Sequence, residues 1–598
     1  MSKRKSVAVP LETKTNVFPW WIVRMGIVFL VLFFYAQTRE FGFTLDDDIF
    51  YQKHQSVQEG VVGIGDLFTH GSMEKFDGTT GLQPYRPITL LSFTLERIRF
   101  DNDPGSSHMV NVVLYILLLQ VLLSVLIRLF SDDSKPWIIG ALMIYLLHPM
   151  HVEVVASVKS RDELLAALFG FMAWNSYLKS SENNFNNIIQ WILSAAFLML
   201  ALLSKESAIV FLVILPLSVW QLKGKEIKKL IAPGLPLLLV VISFLWIRHQ
   251  IVGTVSAGRG IAALDNVLSL AQETSELWAT KMEILAKYLQ LLFIPWPLSW
   301  DYSNAQIPLV GWSDYRAWIG LIVHLGLLGI AIWGFRKWAV ISFSILFYLI
   351  STSPTNNLFF LNGATVAERF LFVPSFGYAL LLGWCVYQLL SRYQPDLKKA
   401  TNYYRVSIGI IALIYSFIIN SRIPDWSSNM RLFESGVKVS PNSSKANQAY
   451  ATELENRARE SQNPAERAAF TEKAMRYFHQ SLAIMPGNAD AALKLGQIHD
   501  MEGRKDSAIV YYQRSIAVKP QYYIALNNLG AIYAARKQFD LALDCFRRSY
   551  QADTAQELTL INLMVVHYNK QQKDSVRYFG NKALGLGFGN PKIQELMR

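Results

Sequence analysis

The chain has 598 residues, 52% of them hydrophobic and only 17% charged, with a formal net charge of +12. The positive balance does not point to nucleic acid, because Lys and Arg cluster in short loops between apolar runs (QLKGKEIKKL, FRKW), where they set membrane orientation. The two cysteines, Cys385 in an apolar segment and Cys545 in a polar one, exclude a disulfide framework and leave the redox compartment open.

A basic start, MSKRK, precedes an apolar run at 20–37 that is long enough to span a bilayer. No small-x-small cleavage pattern follows it (FFYAQTRE), so it reads as an uncleaved anchor behind a cytoplasmic tail, 1–19. Further spans are expected near 109–129, 137–153, 163–178, 189–204, 206–221, 231–248, 316–334, 338–353, 369–391 and 404–420. Residues 20–420 therefore form a polytopic domain of about 11 spans, with 38–108 as its first extracytoplasmic loop. The stretch 276–297 is apolar at helical spacing but carries Lys281, Glu283 and Lys287, so both a spanning and an interfacial position fit it. The positive-inside bias favours the interfacial one, with the N-terminus cytoplasmic and the C-terminal part outside.

That topology brings six charged motifs to the extracytoplasmic face: the triplet Asp46–Asp48, Tyr85-Arg86-Pro87, HPMHVE (148–153), KSRDE (159–163), SKES (204–207) and ATVAERF (364–370). Ionisable groups beside membrane spans are costly and mark sites or substrate paths. The aspartates read either as a solvated helix cap or as a general base at a low-dielectric surface. His148, His151 and Glu153 invite a metal, but Pro149 intervenes and no second cluster at ligand spacing supports it. Hydrogen bonding to phosphate or sugar, or an ordinary helix-end role, fits equally well. Arg86, Lys159, Arg161, Lys205 and Arg369 are cations suited to phosphate, and about half of them are expected to pair with neighbours: Arg161 with Asp162 or Glu163, Lys205 with Glu206, Arg369 with Glu368. Acid and cations together suggest an anionic lipid ligand.

After a linker at 421–445, the chain turns polar and repetitive. Leu495–Gly496 recurs as Leu529–Gly530, Ala508 as Ala542 and Pro486 as Pro520, each 34 residues on, and Ala474 extends the series backward. That period is the tetratricopeptide signature, so 446–598 is expected to be an α-solenoid of three to four units. Its concave face suits a peptide, and a packing platform is the alternative.

The ordered set of a first span, DD, YRP(I)TLL, HPMHVE, SRDE, SKES, AERFLFVPS and tetratricopeptide repeats resembles the transmembrane and tetratricopeptide repeat-containing protein O-mannosyltransferases and their bacterial relatives, over about residues 20–550. The resemblance implies an all-α GT-C fold and inverting transfer of a mannose-like sugar from a polyprenyl-phosphate donor to Ser/Thr hydroxyls of a protein acceptor. It implies Asp46 or Asp47 as the catalytic acid, with Asp46 favoured as base. It places donor phosphate and sugar contacts at Arg86, His148, His151, Arg161, Lys205 and Arg369, with Tyr85, Glu153, Asp162, Glu206 and Glu368 in support. No obligatory cofactor or metal is expected, since side chains can neutralise a monophosphate leaving group. Partners are the lipid-linked donor, a protein acceptor or partner on the repeats, and membrane lipid. His54–Gln55 stand where relatives often have Asn-Pro. A single glycosylation sequon, Asn442-Ser443-Ser444, favours a bacterial inner membrane with a periplasmic site over an endoplasmic reticulum membrane with a lumenal one. The rival readings are a polyprenyl-lipid flippase and a non-catalytic repeat scaffold of an envelope complex.

Overall fold

Long apolar runs punctuated by Pro, Gly and charged turns make helices, and the computed structural model contains helices and no strand in the residues it describes: 19–73, 84–130, 134–253 and 262–598. The expected tail 1–19 lies, but for Pro19, outside them. Eleven helices take the places of the expected spans: Trp20–Tyr35, Pro104–Leu129, Lys135–Leu146, Arg161–Glu182, Ile188–Ser204, Phe211–Leu222, Ile231–Val252, Tyr315–Trp333, Ala339–Thr352, Ser375–Tyr393 and Leu397–Arg422. Among the described residues, five helical stretches are long and apolar enough to cross a membrane, and four apolar ones are shorter; the chain is an integral membrane protein. The Arg161–Glu182 helix starts with Arg161, Asp162 and Glu163 and is buried on nearly every turn. Surrounding helices, chiefly Pro104–Leu129 and Ile188–Ser204, enclose its polar start, which lipid would not tolerate.

The span expected at 137–153 ends early. Its helix stops at Leu146, before Pro149, and a short helix, His151–Ala156, turns away behind it.

The charged stretch forms the helix Thr274–Phe293 and supports the interfacial position. Before it, Asp265 pairs with Lys445 at 2.7 Å; after it, Asn304 accepts from the Ser444 N–H and Ala305 donates to the Asn442 carbonyl, both at 2.7 Å. Both flanks thus meet the same four-residue stretch. A crossing helix would need non-helical chain to return through lipid, where its backbone polar groups would go unpaired. Lys281 and Glu283 are buried against protein. Gly320 lets the Tyr315–Trp333 helix cross closely, because a Cβ there would stand 1.8 Å from the Met282 carbonyl oxygen.

Residues 421–445, expected as a linker, are ordered. A tight turn at Ile423–Ser427 leads into the helix Asn429–Val439, and Ser440 and Ser443 donate to Asp301. The middle residue of the sequon, Ser443, is therefore buried in this seam, and its hydroxyl residue, Ser444, is buried against Ser481. Helix pairs then follow: Ser444–Glu460 with Pro464–Ile484, Ala489–Met501 with Lys505–Val518, Tyr523–Ala535 with Phe539–Ala552, and Glu557–Asn569 with Lys573–Gly585. The last three pairs keep the 34-residue step. Gly503, Lys537 and Gln571, one per step, take the left-handed conformation at each helix–helix turn. Ala474, Ala508 and Ala542 are fully buried where paired helices touch. The core of the membrane part runs unbroken into the first repeat through Tyr450, Leu454 and Phe478, while later repeats pack in separate clusters.

Candidate functional site

The aspartate triplet sits in a loop fixed from both sides. Leu45 adopts a left-handed backbone, φ 54°, an uncommon conformation for a branched residue. Its N–H donates to Asn429 Oδ1 at 2.8 Å, and the Gly42 N–H donates to the Ser427 carbonyl. Segments almost 400 residues apart thus hold the loop.

The two candidate acids differ sharply. Asp47 is fully buried: Oδ2 accepts from the Thr44 N–H (3.0 Å) and hydroxyl, and Oδ1 accepts from the Lys159 N–H (2.7 Å) and the Ser157 hydroxyl. Burial pushes its carboxyl up to about 6, partly offset by the backbone donors and reinforced by the charge of Asp46. Four donors occupy Asp47, so it ties the loop to the 157–159 turn. Asp46 is half-buried; its carbonyl accepts from Ile49 and Phe50, while its carboxylate has no hydrogen bond or ion pair among the described residues. Its negative charge acts on Arg369 and on Lys445 of the first repeat helix.

Behind this acid lies a cation cluster centred on Asp162. Arg86 reaches Asp162 at 2.6 Å and Glu206 at 3.1 Å, Lys159 reaches Asp162 at 3.4 Å, and Lys205 reaches Glu163 at 2.5 Å and Asp162 at 3.6 Å. Arg369 binds Glu153 through Nη1 (2.6 Å) and through its backbone N–H (3.0 Å). Glu206 also accepts from the Tyr85 N–H, and the Tyr85 hydroxyl donates to the Phe68 carbonyl.

The neighbour pairs expected from the sequence do not form. Side chains one apart on a helical turn diverge, so each cation instead finds a carboxylate on another element. Arg161 leaves the cluster altogether. Its fully buried guanidinium pairs with Glu96 at 2.6 Å, donates to Asn111 and the Ser107 carbonyl, and stacks on Phe93. Glu368 points away from Arg369, accepting from the Ser299 N–H and the Tyr302 hydroxyl, 3.8 Å from Arg422. His148 and His151 lie in an aromatic core. His148 contacts the Leu292 carbonyl, and His151 bridges Tyr115 and Ser375, each at 2.9 Å. Among the described residues no group of three His, Cys, Asp or Glu side chains is arranged to hold a metal.

One charged group of the site escaped the sequence reading, and another was read only in part. Lys159 was singled out as a cation suited to phosphate but not carried into the donor contacts, although it stands three residues before Asp162 at a helix start. Lys445 carried no signal, because only docking of the first repeat brings it to the loop.

No family model matches the chain. Curated relatives do. Protein O-mannosyl-transferase TMTC3 of Mus musculus is 29% identical over 466 residues, covering 71% of this chain and 47% of the relative. Protein O-mannosyl-transferase TMTC4 of Mus musculus is 27% identical, covering 71% and 62%, and TMTC1 of Homo sapiens is 27% identical, covering 78% and 55%. The chain spans about half to three-fifths of these relatives. Among solved structures, the hetero-tetramer Cut9–Hcn1 of APC/C aligns at 12% identity and a TM-score of 0.25, covering 78% of this chain and 93% of that one, too slight a likeness to bear on the fold.

Proposed function

We propose that this chain, a relative of the TMTC protein O-mannosyl-transferases, is a membrane protein O-glycosyltransferase. It moves a mannose-like sugar from a polyprenyl-phosphate carrier to a Ser or Thr hydroxyl with inversion. The observation that carries this reading is the contrast between adjacent acids: Asp47 is saturated, while Asp46 keeps a free carboxylate in the field of Arg369 and Lys445.

Asp46 takes the proton of the acceptor hydroxyl as its oxygen attacks the anomeric carbon. The bond from that carbon to the phosphate oxygen breaks, and the lipid phosphate leaves with the electron pair. Arg369 and Lys159 are the cations best placed to receive it. Among the described residues, the Arg369 guanidinium uses only Nη1 in an ion pair, and Lys159 Nζ has a single ion pair, at 3.4 Å with Asp162, and lies 5.8 Å from the Phe50 ring centroid. Arg86 and Lys205 are held by two carboxylates each and shape the pocket wall. The acceptor enters beside Lys445, so the first repeat forms part of the mouth.

The site faces the periplasm of a bacterial inner membrane, or equivalently an endoplasmic reticulum lumen. The test is transfer from polyprenyl-phosphate mannose to a Ser/Thr-rich peptide by purified protein. Transfer that Asp46→Asn abolishes supports the reading, and transfer at the unsubstituted rate in that variant overturns it.

A further inference from the structure

A cavity lies away from the aspartate loop, where the interfacial helix Thr274–Phe293 crosses the start of the Tyr315–Trp333 helix. It encloses about 340 Å3 and presents Glu283, Lys287, Gln290, Tyr302, Gln306 and Arg316. Its rim is exposed and carries apolar surface: Tyr315 and Ile319 are 71% and 48% accessible, and Ile322 continues the strip down the helix.

The polar groups inside are incompletely matched. Glu283 is 5% exposed; one oxygen accepts the Arg316 pair at 2.7 Å, and the other, Oε2, is buried without a partner. Gln306 Oε1 is likewise buried and unpartnered. Among the described residues, Lys287 has no carboxylate within ion-pair distance; Nζ donates to Gln290 at 3.1 Å and lies over the Tyr302 ring at 5.4 Å. Buried acceptors without donors are costly, and each calls for a donor that a water, an ion or a ligand can supply.

Two orphan acceptors and an underused ammonium, opening beside an apolar strip, complement one chemistry: hydroxyl donors attached to a phosphate on a lipid. We propose that this cavity is a docking site for a lipid-linked glycosyl phosphate entering sideways from the outer leaflet. Sugar hydroxyls donate to Glu283 Oε2 and Gln306 Oε1, the phosphate meets Lys287, and the isoprenoid lies along Ile319 and Ile322. The Tyr302 hydroxyl on the cavity wall donates to Glu368, one residue before Arg369 in the chain. Identifying the ligand as the donor rests on the transferase reading; the binding itself does not.

The test uses the full chain in nanodiscs with polyprenyl-phosphate mannose as probe, in an Asp46→Asn background so that no turnover occurs. Lys287→Met and Gln306→Met are each expected to weaken probe binding about tenfold, and Lys287→Arg to restore most of it. In the active chain, the same substitutions are expected to raise the donor KM with kcat and the acceptor KM unchanged. Unchanged probe binding in both variants, with unsubstituted melting temperature, overturns the proposal. Mannose 1-phosphate bound as tightly as the lipid probe, with the same Lys287 dependence, overturns the lipid source. Lys287-dependent probe binding by a chain with no transferase activity supports the site and defeats the reading of function alone.

Discussion

Exchanging each of the two adjacent aspartates for asparagine separates chemistry from architecture. Asp46→Asn deletes the proposed base but no hydrogen bond of the folded chain, so the barrier rises while the fold stays. A general base contributes about 10²- to 10⁴-fold, roughly 3–5 kcal/mol of barrier, and kcat is expected to fall by that factor with the melting temperature unchanged. Asp47→Asn acts on stability. Burial raises Asp47 from 3.8 to about 6, so its ionised form costs roughly 3 kcal/mol of stability at pH 7.5. Asparagine removes that cost but turns an amide N–H₂ toward backbone donors that a carboxylate oxygen satisfied, a loss of roughly 1–3 kcal/mol. The two effects nearly cancel at pH 7.5. At lower pH they do not. A folded-state value raised above the unfolded one gives stability that is complete below 3.8 and lost as pH rises through about 6. Between pH 7.5 and 5 the unsubstituted protein therefore gains about 1.4 kcal/mol from this group, a gain the asparagine variant lacks. Peptide transfer at pH 7.5 and melting curves at pH 5 and 7.5 read both effects. A fully active Asp46→Asn, or an inactive Asp47→Asn with unsubstituted melting behaviour, would refute the assignment and move the base to Asp47.

Arg161→Met leaves Glu96 charged and buried, and should cost about 3–5 kcal/mol, seen as a lowered melting temperature; the double variant with Glu96→Gln should recover much of it. Lys159→Met should lower kcat about 10- to 100-fold with little change in melting temperature, as expected for a cation facing the leaving phosphate. Removing residues 519–598 spares the shared core and should raise the acceptor KM severalfold with the donor KM unchanged, whereas removing 440–598 strips Tyr450, Leu454 and Phe478 from that core and should abolish folded yield, measured by size exclusion in detergent. Transfer should persist in EDTA; its loss with rescue by Mn²⁺ would overturn the metal-free mechanism.

Much of the frame was legible because it is written locally. Apolar run length gives each helix its place, and Pro149 stops one of them early. The 34-residue step recurs in the helix boundaries, because each repeat must offer the same small residue to its partner helix. The cation cluster was legible only in part. Arg86, Lys205 and Arg369 do gather near the acid with Lys159, but the partners of Lys205 and Arg369 were misread as sequence neighbours. The histidines had the composition of a phosphate site and the surroundings of a packed core.

The sequence by itself determined the helices and the repeat period, since hydrophobic period and chain length depend on residues a few positions apart. Tertiary structure alone decided which acid is free, which cations are engaged and where the repeats meet the aspartate loop. Asp47 is occupied because Thr44 and the 157–159 turn converge on it, and Arg161 is withdrawn because Glu96, Ser107 and Asn111 surround it. Whether a donor reaches a carboxylate is a matter of a few tenths of an ångström between distant segments, and only the packed chain sets that distance.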